Sequence, residues 1–252
     1  MLASLTATPV LRRGDYERTG FAVIAAKQAP CRAAADEYQR LRPDLETKCL
    51  RPQHVLLKPH VLSNKIYFLG GGLCSLTQVT ADGQVAGVAM IGNEGLVVLT
   101  AFGGDPESGV TAAVEIADGQ MQVMDVAVFR REIARRGAFA DLIDRYTRAF
   151  AAGLMQSVVC NALHPVERRC ARCLLEIRDR VGRNPFPLTH SALAGMLGVR
   201  RATVTLCAGS LDRAGLVGHS HKHFLIHDPE KLEDAACECY RVINRHFARL
   251  LP

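Results

Sequence analysis

Arg200, Arg201, Thr203 and Thr205 carry the clearest chemistry in the sequence. On a helix they share one outer face, and two guanidinium groups with two hydroxyls suit the phosphates and base edges of a DNA major groove. Val199 and Val204 point the other way, toward a preceding helix. That helix opens on Thr189, a good N-cap, with His190 and Ser191 in its first turn. Its Leu193, Ala194 and Leu197 fall on one face. Gly198 stands where the turn needs a residue that tolerates positive φ. Ala194 and Gly195 are small enough to let the two helices approach closely. Leu188–Cys207 therefore satisfies a cap, a turn glycine, an apolar face and a polar outer face in one register, and reads as a helix-turn-helix.

Sulfur and imidazole groups offer other chemistry. Cys170 and Cys173 lie one turn apart on a predicted helix, facing inward. Cys237 and Cys239 lie in a predicted C-terminal helix, where they point in different directions. Together the four thiols could hold zinc or an iron–sulfur cluster. Apolar packing cysteines are the preferred reading, and no metal site or cofactor is predicted. His219, His221 and His223 alternate as on one face of a strand. A metal site or a pH-sensitive phosphate contact competes there with plain contact to a DNA backbone beside Lys222, and plain contact is preferred. For His54 and His60, haem ligation competes with surface or capping roles, which are preferred. Cys160 and His164 form an i, i+4 pair that could join a nucleophile to a base. Nothing supplies an orienting acid or an oxyanion hole, so no enzyme is predicted.

The totals agree with a binding protein. The chain has 252 residues, 48% of them hydrophobic, enough for one large or two modest domains around an aliphatic core. Ten of the 31 Lys and Arg, but only four of the 25 Asp and Glu, lie between His164 and His227, so the whole net charge of +6 falls there. A surface for phosphates would need that segregation. Nine cysteines without regular spacing, no signal-peptide pattern and no apolar run of the roughly 18–20 residues that span a bilayer suggest a reducing cytoplasm and no membrane contact.

The elements that position these groups can be read in order. Residues 1–44 read as an N-terminal extension with some helix. From Cys49 to about Val128, β-prone runs alternate with turn signals: Val55–Leu57, Lys65–Leu69, Leu73–Thr80, Gln84–Ile91, Leu96–Thr100, Val110–Ile116 and Gln120–Val128. Gly70–Gly72, Ala81–Gly83, Gly103–Pro106 and Asp118-Gly119 are the turns. Residues 45–138 should form a jelly-roll-type β-barrel. Helical periodicity over Phe139–Asn161 gathers Leu142, Tyr146, Phe150, Gly153, Leu154 and Ser157 on one broad face, predicted to pack on the barrel and to pair with a second copy. This dimerisation helix is bounded as residues 139–163. A helix Val166–Val181, a rigid loop Asn184–Pro187, the helix-turn-helix and a two-stranded wing His219–His227 make residues 164–230 a winged domain. Residues 231–252 end the chain as an amphipathic helix. The class is α+β.

This order resembles the Crp/Fnr family of bacterial transcription regulators. The resemblance rests on Ile66–Leu69 before a glycine turn, Gly92-Asn-Glu-Gly95 before an apolar strand, Cys160–His164 with Val166–Arg169 at the hinge, and Leu188–Val217. It implies a cyclic-nucleotide-binding-like barrel, a dimerising helix and a winged helix-turn-helix that binds near-palindromic duplex DNA as a homodimer. It implies that Arg201 reads a guanine, for which guanidinium is apt. Thr203 would contact phosphate, and Thr189 and His190 would lie where helix amides meet one. Arg200 replaces a small residue, Ala202 stands where many members carry a base-reading glutamate, and Leu206 where some carry a second arginine. The operator should therefore differ from familiar ones.

The effector stretch departs further. Family members that bind cyclic nucleotides hold the phosphate with an Arg-Ser/Thr-Ala step. Here Glu107–Val114 has no arginine, and a buried phosphate without a cation is disfavoured. Independence from cyclic AMP is expected. A redox- or metal-responsive regulator of the same architecture is the alternative, with thiols, an iron–sulfur cluster or haem as sensor. A protein-interaction module that had lost sensing is disfavoured by Arg200 and Arg201. The barrel is left to sense a signal or to contact RNA polymerase.

Overall fold

A computed structural model describes residues 32–97, 109–220 and 222–251. The expected extension up to Cys31, the end of the Leu96–Thr100 run, the Gly103–Pro106 turn, Glu107 with Ser108, and His221 lie outside the described residues. Among the described residues, eight strands lie in the N-terminal half: β1 Glu46–Cys49, β2 Val55–Leu57, β3 Lys65–Leu69, β4 Leu73–Val79, β5 Val85–Ile91, β6 Leu96–Val97, β7 Thr111–Ile116 and β8 Gln120–Asp125. They form two antiparallel sheets, ordered β1-β8-β3-β6 and β2-β7-β4-β5. The result is a jelly-roll-like pair of sheets rather than a closed barrel. Alternation sets the faces: Ala112, Val114 and Ile116 are buried on β7, while Ile66 and Phe68 are buried on β3. Gly83 and Gly119 take positive φ at the two Asp-Gly turns.

Two elements depart from the sequence reading. The exposed edge strand β1 has no counterpart in it. The run read as a strand to Val128 instead bends at Asp125 into helix α2, Val126–Ala134. Its residues are β-prone in type, but Val126, Phe129 and Ile133 recur at helical spacing and pack on Leu41 and Phe139. The preceding helix α1, Arg32–Leu41, holds that corner. Its Glu37 carboxylate accepts from the Ala138 and Phe139 amides at 3.1 and 2.7 Å. Glu37 thereby caps helix α3, Ala138–Leu163, which runs 26 residues.

After Pro165, helix α4 spans Val166–Val181 and ends on Gly182 in the left-handed conformation. Helices α5, His190–Leu197, and α6, Arg201–Arg213, follow. A three-stranded wing sheet joins β9 Phe186–Pro187, β10 Val217–His219 and β11 His223–Ile226, in the order β10-β11-β9. The loop read as merely rigid thus contributes a strand. Asn184 bonds both ways to the Ile226 backbone, at 2.7 and 2.9 Å.

The tail is two helices, not one: α7 Pro229–Ala235 and α8 Cys239–Leu250. Ala236 is extended at the break, and Ala236, Cys237 and Cys239 are buried. α8 lies along α3, with Phe247 over Gly153 at 3.7 Å from where a Cβ would stand.

Candidate nucleic-acid interface

The helix-turn-helix forms as its residue types require. Thr189 Oγ accepts from the Ala192 amide at 3.1 Å, and Gly198 closes α5 at φ 65°. Leu193, Leu197 and Val204 are buried with Phe186, Phe224 and Leu174 in one core. That leaves Arg200, Arg201, Ala202, Thr205, Leu206 and Ser210 on the solvent face of α6. Thr189 and Ser191 are exposed at the start of α5, and Lys222 is exposed in the wing turn. Thr203 is half-buried.

His190 and Thr205 are engaged with one another. His190 Nδ1 lies 3.1 Å from Thr205 Oγ, and the Thr205 hydroxyl also donates to the Arg201 carbonyl at 3.1 Å. The His190 ring stands 5.1 Å from His219 and 5.5 Å from Phe224. These two residues therefore fix α5, α6 and the wing to one another beside the exposed face. Leu206 is 73% exposed in the middle of that face, where an apolar side chain can meet a thymine methyl.

Half of the basic residues counted in this region are used inside the chain. Arg172 pairs with Glu176 at 2.6 Å and is buried. Arg180 pairs with Glu94 at 2.9 Å, Arg169 donates to the Leu197 carbonyl, and Arg178 pairs with Asp179. Arg183 faces Asp118 at 3.6 Å. Segregated charge along the sequence overstated the positive surface, which narrows to Arg168, Arg200, Arg201, Arg213 and Lys222.

The domain is held against the roll. α5 packs on β5, where a Cβ on Gly87 would strike the Met196 backbone. Gly195, expected to ease the approach of α6, instead faces Val85, 3.9 Å from where its Cβ would be, and Gly198 faces Ala86 at 3.7 Å. The Gly92–Gly95 turn is packed against both long helices: a Cβ on Gly92 would meet Arg180, and one on Gly95 would meet Tyr146.

Burial sorts the residues expected to dimerise among contacts within the chain. Leu142 and Tyr146 are buried against Ile66, Phe68 and Leu96, with Phe150 stacked on Tyr146 at 5.8 Å. Gly153, Leu154 and Ser157 line the seam with Ile243 and Phe247 of α8. The apolar face of α3 that remains open is Met155, Val158, Val159 and Leu163, exposed by 66, 69, 45 and 74%.

The thiols regroup as well. Cys170 and Cys173 are core residues, and burial pushes the Cys173 thiol up to about 12. Cys237 and Cys239 lie instead with Cys160 and His164. The hydrogen bond shared with Cys160 pulls Cys237 down to about 6, aided by Arg172, while Cys160 is raised. His164 Nδ1 faces Cys239 at 3.5 Å. His219 and His223 fall on different strands of the wing and do not share a strand face. His54 and His60 are exposed.

The sequence of this core and exposed helix decides the family of the domain: residues 168–235 match the family profile described as Crp-like helix-turn-helix domain. The chain carries a Crp-like helix-turn-helix domain. No curated protein matches the sequence significantly. The fold is shared with solved structures. A crp/fnr family regulator from Eubacterium rectale has TM-score 0.61 at 16% identity, over 79% of this chain and 93% of that one. The c-di-GMP responsive global regulator CLP of Xanthomonas campestris gives 0.63 at 13%, over 77% and 99%. FixK2 from Bradyrhizobium japonicum gives 0.62 at 14%, over 77% and 98%. The Crp-like domain and the roll before it share the fold of these solved structures. No helix among the described residues is long and apolar enough to cross a membrane.

Proposed function

We propose that this protein is a cytoplasmic, sequence-specific transcription regulator that binds near-palindromic duplex DNA as a homodimer and is not an enzyme. The observation that carries this is the open face of α6, which begins with Arg200 and Arg201 beside the capped start of α5. Arg201 reads a guanine, and Arg200, Thr189, Ser191 and Lys222 hold phosphates. Met155, Val158, Val159 and Leu163 meet their counterparts on a second copy, since an exposed apolar stripe along one helix is self-complementary about a two-fold axis.

Independence from cyclic AMP rests on the stretch Glu107–Val114, which offers no arginine to a cyclic phosphate. The roll is left for another signal or for RNA polymerase. Selection of bound duplexes from a random pool tests the reading. A two-fold symmetric site is expected, and no complex with any duplex at low ionic strength overturns it. Calorimetry showing micromolar binding of cyclic AMP would overturn the effector reading alone.

A further inference from the structure

We propose that Cys160, His164, Cys237 and Cys239 bind one zinc-class ion in a closed tetrahedral site that fastens the C-terminal tail to the hinge. The four ligand atoms all lie within 4.8 Å of one another. Cys160 Sγ and Cys237 Sγ are 3.4 Å apart, and Cys239 Sγ and His164 Nδ1 are 3.5 Å apart. A tetrahedral ion with bonds of about 2.3 Å to sulfur and about 2.0–2.1 Å to nitrogen sets ligand edges near 3.8 Å for two sulfurs and near 3.5 Å for sulfur and nitrogen. The observed spacing needs only small adjustments to reach these edges. Three soft thiolates and an imidazole, with no carboxylate ligand, favour zinc over harder cations.

The surroundings are those of a ligand set rather than of packing cysteines. His164 and Cys239 are each directed by a further partner. His164 turns Nδ1 inward, and its Nε2 lies 3.2 Å from Glu238 Oε1, the carboxylate–imidazole arrangement that orients a metal-bound histidine. Gln156 Nε2 donates to Cys239 Sγ at 3.0 Å. Cys160, Cys237 and Cys239 are buried together as a small cluster apart from the three larger cores. Three thiolates on a dication leave one negative charge, and the buried Arg172 bears on both Cys160 and Cys237.

The backbone is shaped to the same end. In a continuous helix Cys237 and Cys239 would diverge. The break at Ala236 between α7 and α8 brings both thiols onto the C-terminal turn of α3. That turn precedes Pro165, where the chain passes into the Crp-like domain, and α7 packs on α4 of that domain. One ion would thus tie the long helix, the hinge and the tail together. Ligand binding here does not depend on DNA recognition and is read without DNA.

Titration of reduced, metal-free full-length protein with Co²⁺ under anaerobic conditions tests the site. The expected result is sulfur-to-cobalt charge transfer with intense tetrahedral d–d bands, saturating at one equivalent per chain and bleached by Zn²⁺. C237S and H164Q should lose the saturable tetrahedral spectrum, while C49S, which alters an exposed cysteine, should keep it. Circular dichroism of each variant confirms folding. If C237S does not fold, the wild-type chain decides the matter: Zn²⁺ should protect Cys160, Cys237 and Cys239 from alkylation, mapped by mass spectrometry, and absence of protection would overturn the site. Weak octahedral bands, an unchanged spectrum in folded C237S, or a Cys160–Cys237 disulfide in place of metal uptake by reduced protein would overturn the proposal.

Discussion

Glu94 Oε1 lies 2.9 Å from Arg180 Nε, an ion pair that joins the Gly92–Gly95 turn of the roll to α4 of the DNA-binding domain. Both side chains are largely buried, and Arg180 also reaches Glu176 at 3.3 Å and the Phe247 ring at 5.9 Å. Roll, DNA-binding domain and tail therefore meet at one guanidinium. Removing Glu94 leaves Arg180 its second carboxylate, so Glu94→Gln should cost about 1–3 kcal/mol. Arg180→Ala leaves Glu94 without its cation and Glu176 with Arg172 alone, and should cost about 3–5 kcal/mol. Urea unfolding of the two variants checks the order. Equal losses would mean that Glu176 does not share the charge.

The contact between Gly87 and Met196 sets how the DNA-binding domain sits on the roll. A valine at position 87 would strike the α5 backbone, which has no flexible end to move aside. Gly87→Val should cost about 1–3 kcal/mol by overpacking and raise amide exchange in residues 193–198 and 85–91 together. Unchanged exchange in α5 would show that the two surfaces are not held together in solution.

Arg201 and Lys222 are predicted to fail differently. Arg201→Ala should weaken binding to the selected site by about 1–3 kcal/mol and relax discrimination at one base pair per half-site. Lys222→Ala should weaken all duplexes alike and reduce the salt slope by about one. Anisotropy titrations over a range of salt, with single-base variants of the site, separate the two. An unaltered base preference in Arg201→Ala would remove Arg201 from direct readout.

The open stripe on α3 should hold the dimer. Val158→Glu places a charge at the centre of Met155, Val158, Val159 and Leu163, all away from the chain's own core. Sedimentation should show single subunits at concentrations where the wild type is paired. Leu142→Glu, by contrast, should unfold the chain, because Leu142 is buried beneath the roll.

Those two positions also show what the sequence could convey. Periodicity placed the long helix within two residues of its observed ends, but one helix here packs on the roll, packs on α8 and leaves a further face open. Spacing alone cannot say which apolar residue faces the roll, which faces α8 and which is left open. Most strands of the roll and the capped α5 were legible because alternation, Asp-Gly turns and Thr189 are local signals. The helical start at Val126 was not, since β-prone residue types masked an i, i+3, i+7 pattern. Nor was the break at Ala236, where the flanking residues include no glycine or proline. The docking of Gly87 on Met196 joins residues more than a hundred positions apart, and the regrouping of Cys237 with Cys160 follows from a backbone bend that residue types do not announce.

The two buried phenols make stability fall at alkaline pH. Burial raises both Tyr146 and Tyr240. The Glu94 charge adds to it at Tyr146, and Asp179, which accepts from the Tyr240 hydroxyl at 2.6 Å, adds to it at Tyr240. An unfolded chain releases its phenol protons near pH ~10, whereas the folded chain keeps them. The native state then binds more protons than the unfolded one, so stability declines as pH climbs past about 10, and these two groups contribute no slope below that. Buried thiols such as Cys173 act in the same sense from about pH 8.5, so the comparison must isolate the tyrosine. Tyr240→Phe should cost about 1–2 kcal/mol at neutral pH by losing the bond to Asp179. Above pH ~10 the gap to the wild type should shrink, because only the wild type still carries the cost of keeping that proton. Urea unfolding of both proteins across this range gives the difference directly, and a gap that stays constant with pH would show that Tyr240 is not the group held protonated by the fold.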